Sequence, residues 1–319
     1  MKESLKAPSL IALRDCMAVK KGESVLIITD ENKREIGYAL WETAKELETE
    51  AMILEIIPTK SDGEEPPRSV AEIMKSVDVL LCPTTKSLSH TDARRNASKA
   101  GVRIATLPGI TEDTLVRTLD ADYNRIAELS IKLAKILTEA KIIRVTTEKG
   151  TDITMPVEGR EGHEDTGLVH KPGDFANLPA GEAYIAPLEE KSNGVFVVDG
   201  AMAGLGVLKE TFIKIKVVDG YATEISGGPE AEKLIETIEP FGKPGRNIAE
   251  FGIGTNYKAQ ITGSPLEDEK IIGTIHIALG DNVSMGGTVN VPSHLDGIIR
   301  KPTVEIDGKI IMKNGEFMI

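Results

Sequence analysis

The chain has 319 residues, of which 40% are hydrophobic and 28% charged, and it carries a net charge of -12. That length exceeds one minimal core and predicts two domains of ordinary size, while the composition excludes a disordered chain. The acidic excess repels a polyphosphate backbone and no Lys/Arg cluster with interleaved aromatics offsets it, so nucleic acid is excluded as a partner.

The opening MKESLKAPSLIALRD places charges where a signal peptide needs an apolar run. No stretch reaches the ~18 apolar residues of a membrane span, so a cytoplasmic protein without membrane contact is expected. Cys16 and Cys82 form no CxxC motif and read as free, buried thiols in a reducing compartment. From Ser24 to Ala105 short apolar runs, SVLIITD, AMILEII, DVLLCPT and VRIATL, alternate with amphipathic stretches. Runs of Val, Ile and Leu separated by helix-length connections are the mark of strands buried on both faces of a parallel sheet.

Residues 120–140 have helical spacing at Ile126, Leu129, Leu133 and Ile136, with Asp120 in place as N-cap. Beyond Ile142 the pattern changes to short strands, IIRVTTEKGTDITMPV, GVFVVDG, FIKIKVVDGYATEI and TVEIDGKIIMKNGEF, whose KG, DG, DG and NG turns signal antiparallel hairpins. One further helix is predicted over 229–239, opened by Pro229 and closed before Pro240. The expected fold is α/β: an N-terminal parallel βα (Rossmann-like) domain, residues 1–140, followed by a mainly antiparallel α+β metal-binding domain, residues 141–319.

The chemistry concentrates in four segments of the second half. NLPAGEAYIAP places Glu182 at the start of an apolar strand, and NIAEFGIGTN places Glu250 inside an apolar strand that ends at Gly252. An isolated buried carboxylate costs several kcal/mol, so each acid needs a cation. In IIGTIHIALGDN the alternation puts His276 on a strand face with Ile272, Thr274 and Ala278, opposite Ile271, Gly273, Ile275, Ile277 and Leu279. In VNVPSHLDGII an extended backbone points His294 and Asp296 to the same side.

A lone buried Glu or strand His is more often a satisfied structural residue than a ligand. Four such segments in one domain, with Gly or small neighbours, instead compose a His/carboxylate donor set suited to Zn, Mn, Co or Fe(II). The remaining acids and histidines have structural readings. His90 lies where Ser89 or Thr91 caps a helix, and His163 and His170 lie in a polar Gly-rich loop able to act as a lid. The run Glu267-Asp268-Glu269 reads as a solvated face. AGLGVL and GIGTN fall short of a full GxGxxG and no GxxxxGK[ST] exists, so nucleotide binding is not supported.

In this order the segments NLPAGE, AEFGIG, HIALG and HLD resemble the thermophilic metalloaminopeptidase family that includes aminopeptidases T and S, mainly over residues 175–300. The resemblance implies a homodimeric hydrolase that releases N-terminal residues from small peptides. It implies a centre of two divalent ions (Zn, Co or Mn) ligated by Glu182, Glu250, His276, His294 and Asp296, with Glu250 as general base. Charge favours two ions as well, because one would leave Glu182 and Glu250 without a partner. Where that family has a tyrosine after its HxALG motif, this chain has Val283. The same ligand pattern is similar to that of the ring-cleaving 2,5-dihydroxypyridine dioxygenases, which implies the alternative of a single Fe(II) on His276, His294 and Asp296. A metal-binding relative without activity is the third possibility.

Overall fold

Parallel pairing organises the first half of the chain, as its uninterrupted aliphatic runs require. The structure, a computed structural model, describes residues 2–319. Strands Glu50–Ile56, Ser24–Asp30, Val79–Cys82, Arg103–Thr106 and Phe175–Asn177 lie side by side in that order in a five-stranded parallel sheet. The central strands are buried along their length, and Leu26, Ile28, Leu80 and Ile104 enter one cluster with Val70 and Met74 of helix Arg68–Met74. Each such side chain contributes about 1.5–3 kcal/mol on leaving water.

The fifth strand comes from a stretch whose sequence reads as a solvated loop. Residues 175–177 return to pair with Arg103–Thr106, Ile104 opposite Phe175. Three residues are too few to show a period, so the pairing is set by tertiary contact alone. Cys16 and Cys82 are buried and unpaired, and burial pushes both thiols well above the ordinary range, which leaves them unreactive.

The chain divides into two compact units, one running to Ala127 and taking in Asp165–Ala180, the other comprising Glu128–Glu164 and Gly181–Ile319. The crossing falls inside helix Tyr123–Glu139 rather than at residue 140, because Leu133, Ala134 and Leu137 already belong to the second unit's core. The helix is capped by Asp122, whose carboxylate accepts the Asn124 and Arg125 N–H groups, and not by Asp120. No helix among the described residues is long and apolar enough to cross a membrane.

The second unit stacks two antiparallel sheets over one core. The eight-stranded sheet is ordered Tyr221–Ser226, Ile213–Val218, Asn193–Val198, Asp152–Pro156, Ile142–Thr146, Thr303–Ile306, Lys309–Lys313, Glu316–Phe317. At Asp219-Gly220, Asp307-Gly308 and Asn314-Gly315 both residues have positive φ, the geometry of tight hairpin turns that match strand twist. The seven-stranded sheet is ordered Gly206–Val207, Ala201–Met202, His294–Arg300, Thr274–Gly280, Ile248–Gly254, Glu182–Ile185, His163–Asp165. Its inner face supplies Ile275, Ile277, Leu279, Phe251 and Ile253 to a core shared with Phe196, Ile215 and Val304 of the other sheet. Helix Pro229–Ile238 begins at Pro229, as its sequence predicts, and buries Leu234 and Ile238 in the same core.

Candidate metal centre

The four chemistry-bearing segments are four consecutive strands of the seven-stranded sheet: His294–Arg300, Thr274–Gly280, Ile248–Gly254 and Glu182–Ile185. Their registers set Ala278 opposite both Asp296 and Glu250, Gly252 opposite both His276 and Tyr184, and Gly254 opposite Glu182. Inner positions being aliphatic, alternation sends the five polar side chains to the other face, where they converge.

Two local features bring them together. A bulge between Ile248 and Glu250 sets two residues of that strand against one of its neighbour, which brings Glu250 into line with Ala278 on the face of His276. Secondly, the strand does not end at Gly252 but passes through it. A β carbon there would lie 1.9 Å from His276 Nε2, so only glycine lets the imidazole lie across the strand toward Glu182.

Glu250 is the hub. His276 Nε2 lies 3.1 Å from its Oε1 and His294 Nε2 lies 3.1 Å from its Oε2. Glu182 Oε2 is 3.5 Å from His276 Nε2, and Asp296 Oδ1 is 3.5 Å from His294 Nε2. His294 Nδ1 is 2.8 Å from the Asp281 carbonyl oxygen, which can only accept, so the proton is on Nδ1 and the ring orientation is fixed. His276 is 1% exposed and Glu182, Glu250 and Asp296 are buried, while the His294 side chain is 32% exposed and forms the rim. The donor atoms fall into two groups that share Glu250: Glu182, Glu250 and His276, and Glu250, His294 and Asp296, each within 4.8 Å.

Burial opposes charge at every member, yet mutual contact overrides it. The His276 and His294 hydrogen bonds hold Glu250 well below the usual carboxylate range, and the His294 charge lowers Asp296. His276 rises to about 9 against burial, through its bond to Glu250 and the charges of Glu182 and Asp296. His294 is raised well above its ordinary value by Asp296 and Glu250.

The sequence did not disclose Lys270. Its Nζ lies 2.6 Å from Glu182 Oε1 and 2.9 Å from Glu269 Oε2, with the side chain 3% exposed. The acidic run before it is not a solvated face: Glu267 and Asp268 are buried. Asp268 accepts the Thr262 and Gly263 N–H groups at 2.7 and 2.9 Å, and Glu267 accepts that of Gln260 at 2.8 Å. These bonds fold the loop around helix Pro265–Asp268 and carry Lys270 into the site. Burial pushes Glu269 up to about 8 despite Lys270. The available signal was a lysine abutting an apolar run in a domain with surplus carboxylates.

The other histidines stand elsewhere. Thr91, beside His90, caps helix Asp92–Lys99 by accepting the Arg94 N–H. His163 packs its ring 5.4 Å from that of Tyr184, and His170 Nε2 meets the Asp15 carbonyl at 2.8 Å. Val283 opens the short turn Val283–Met285 and is 47% exposed.

With the geometry in view, the sequence matches the profile of the 2,5-dihydroxypyridine 5,6-dioxygenase family over residues 11–319. The chain belongs to that family. A 2,5-dihydroxypyridine 5,6-dioxygenase of Pseudomonas putida KT2440 is 26% identical over 256 residues, 76% of this chain and 71% of that one. The solved structure of 2,5-dihydroxypyridine dioxygenase from Pseudomonas putida KT2440 superposes with a TM-score of 0.85 at 20% identity, covering 100% of this chain and 98% of that one. AmpT from Thermus thermophilus superposes at 0.71 with 17% identity, covering 100% of both chains. At these identities the two structures speak for the fold.

Membership in a dioxygenase family overturns the aminopeptidase expectation, and with it the assignment as hydrolase or metalloprotease. The NLPxGE, AExxxG, HxALG and HxD segments are the strands that build this sheet face, so they report shared architecture; Glu182, moreover, is not without a charge partner, since Lys270 meets it.

Proposed function

We propose that the chain is a ring-cleaving dioxygenase of hydroxylated pyridines that uses one divalent ion, Fe(II), held by His276, His294 and Asp296. One observation carries the reading: His276 and His294 each lie 3.1 Å from Glu250 with Asp296 3.5 Å from His294, all on one sheet face, while Lys270 pairs with Glu182 Oε1. The residues suit such an ion. Glu182 Oε2 is buried without a hydrogen-bond partner, Gly252 clears the space beside His276 Nε2, and two histidines with one carboxylate are a donor set for non-haem Fe(II). Glu182, Glu250 and Asp296 less the Lys270 ammonium leave about two negative charges, which one divalent ion balances.

Fe(II) bound here would supply the one-electron chemistry that lets oxygen react with an aromatic ring, which no side chain provides. The protein's own groups handle protons and position. Glu250, 3.1 Å from both imidazole Nε2 atoms, is the carboxylate beside the place where they would hold the ion, and so is the group placed to accept the proton of a substrate hydroxyl. His294, on the exposed rim and held by Asp281, sets the entry side, and the buried His276 side lies away from solvent.

The test is oxygen uptake. Protein loaded anaerobically with Fe(II) and mixed with 2,5-dihydroxypyridine in aerated buffer should consume one oxygen per ring lost, with both oxygen atoms retained in the product. His294→Ala and Asp296→Ala should lose at least ~10-fold in Fe(II) affinity. Folded, iron-loaded protein that leaves the ring intact would overturn the proposal.

A further inference from the structure

The donor atoms alone describe a place for two ions, since two groups of ligand-type side chains share the bridging carboxylate of Glu250. A counter-charge already stands on the Glu182 side. Lys270 Nζ stands 2.6 Å from Glu182 Oε1 and 2.9 Å from Glu269 Oε2, and its side chain is 3% exposed. A buried ammonium is stable only where carboxylates meet it, and it repels a second cation at the same carboxylate.

Nor does Lys270 reach the site by a chance swing of a flexible side chain. Its backbone carbonyl accepts the N–H of the fully buried Asn256 at 2.8 Å. The next residue crosses Gly254 so closely that a β carbon there would lie 2.1 Å from the Ile271 carbonyl oxygen. The strand end and the segment bearing Lys270 are thus locked together, with the ammonium delivered to Glu182.

We propose that Lys270 fixes the ion count of this centre at one, its ammonium on Oε1 neutralising the Glu182 carboxylate whose other oxygen, Oε2, faces His276 and would otherwise serve a second divalent ion. The inference rests on the one-ion reading above and makes Lys270 a positioning residue, acting through Glu182.

The experiment counts Mn(II) bound per chain, from loss of the free-ion electron paramagnetic resonance signal during titration of the metal-free, full-length protein. Wild type should bind one equivalent. Lys270→Ala, which removes the charge and opens room beside Glu182, should bind two, with a dipolar-broadened signal from the neighbouring ions. Lys270→Arg should stay at one. One equivalent in both wild type and a folded Lys270→Ala overturns the role of Lys270 and leaves the one-ion reading standing; two in wild type overturns that reading as well. Should Lys270→Ala fail to fold, Glu182→Gln decides, being nearly isosteric and keeping the lysine. It should retain one equivalent with less than a 10-fold change in affinity, and loss of Mn(II) would make Glu182 a ligand of the single ion and refute the proposal.

Discussion

Gly252 shows how one residue can govern the centre without offering a donor atom. Its missing side chain is the space in which His276 Nε2 lies, 1.9 Å from where a β carbon would be. In Gly252→Ala the imidazole has to rotate away from Glu182 and Glu250 or the strand has to shift, an overpacking cost of about 1–3 kcal/mol. Metal affinity should fall by at least ~10-fold, as when a group that orients a ligand is lost. Titration calorimetry alongside urea melts reads both effects, and unchanged affinity would mean that the imidazole has another place to lie. The donors themselves were legible in the sequence, because a charged residue inside an aliphatic strand stands out against its period. In the sequence Gly252 reads as the end of a strand. Only the register against His276 identifies it as a close approach within one.

At the scale of elements, the turn between strands Thr274–Gly280 and His294–Arg300 is held by an ion pair that no local sequence pattern discloses. Glu189 pairs with Arg160, and its Oε1 accepts Asn282 Nδ2 at 2.9 Å and the Thr288 N–H at 2.8 Å. Asn282 in turn accepts the Val289 N–H at 2.9 Å, and its neighbour Asp281 offers the carbonyl that orients His294. These partners lie about 30 to 100 residues apart, beyond any local pattern. Glu189→Ala strands several of these donors at once and should cost about 1–3 kcal/mol. Amide exchange across residues 282–289 should quicken and metal binding weaken; exchange confined to its wild-type rate would rule out the support role. Burial alone would raise Glu189, but the Thr288 and Asn282 hydrogen bonds and the Arg160 charge keep it below its ordinary 4.5. Its contribution is therefore full above pH 4.5 and fades as pH falls through the lower folded value. A wild-type protein more acid-labile than Glu189→Gln would agree with that sign.

Across the whole molecule, what was legible was whatever repeats along the chain: parallel strands from aliphatic runs, antiparallel ones from hairpin turns, and four motif strands that do form one face. Family membership and the buried lysine lay outside those motifs, the one in the match over residues 11–319 and the other behind an acidic run. The same face couples metal, protons and stability. Without an ion, His276 holds its proton up to about 9 and His294 is likewise raised, so both are charged at pH 7. Because both folded values exceed the ordinary 6.5, this stabilisation is complete below pH 6.5, and the His276 share is lost as pH rises through about 9. For His276 it is on the order of 3 kcal/mol. An ion must displace those protons to reach the Nε2 atoms, so binding at pH 7 should release about two of them. Calorimetry in buffers of different ionisation enthalpy measures that number directly. Melting temperatures follow the same balance: chelated protein loses stability from pH 6.5 to 9, whereas the Mn(II) form, whose imidazoles are neutral both folded and unfolded over that interval, stays nearly level, its rising affinity offsetting that loss. The gap between the two melting temperatures should therefore widen steadily over that interval. A gap independent of pH would mean that the two imidazoles do not change protonation on binding, and would remove them from the ligand set.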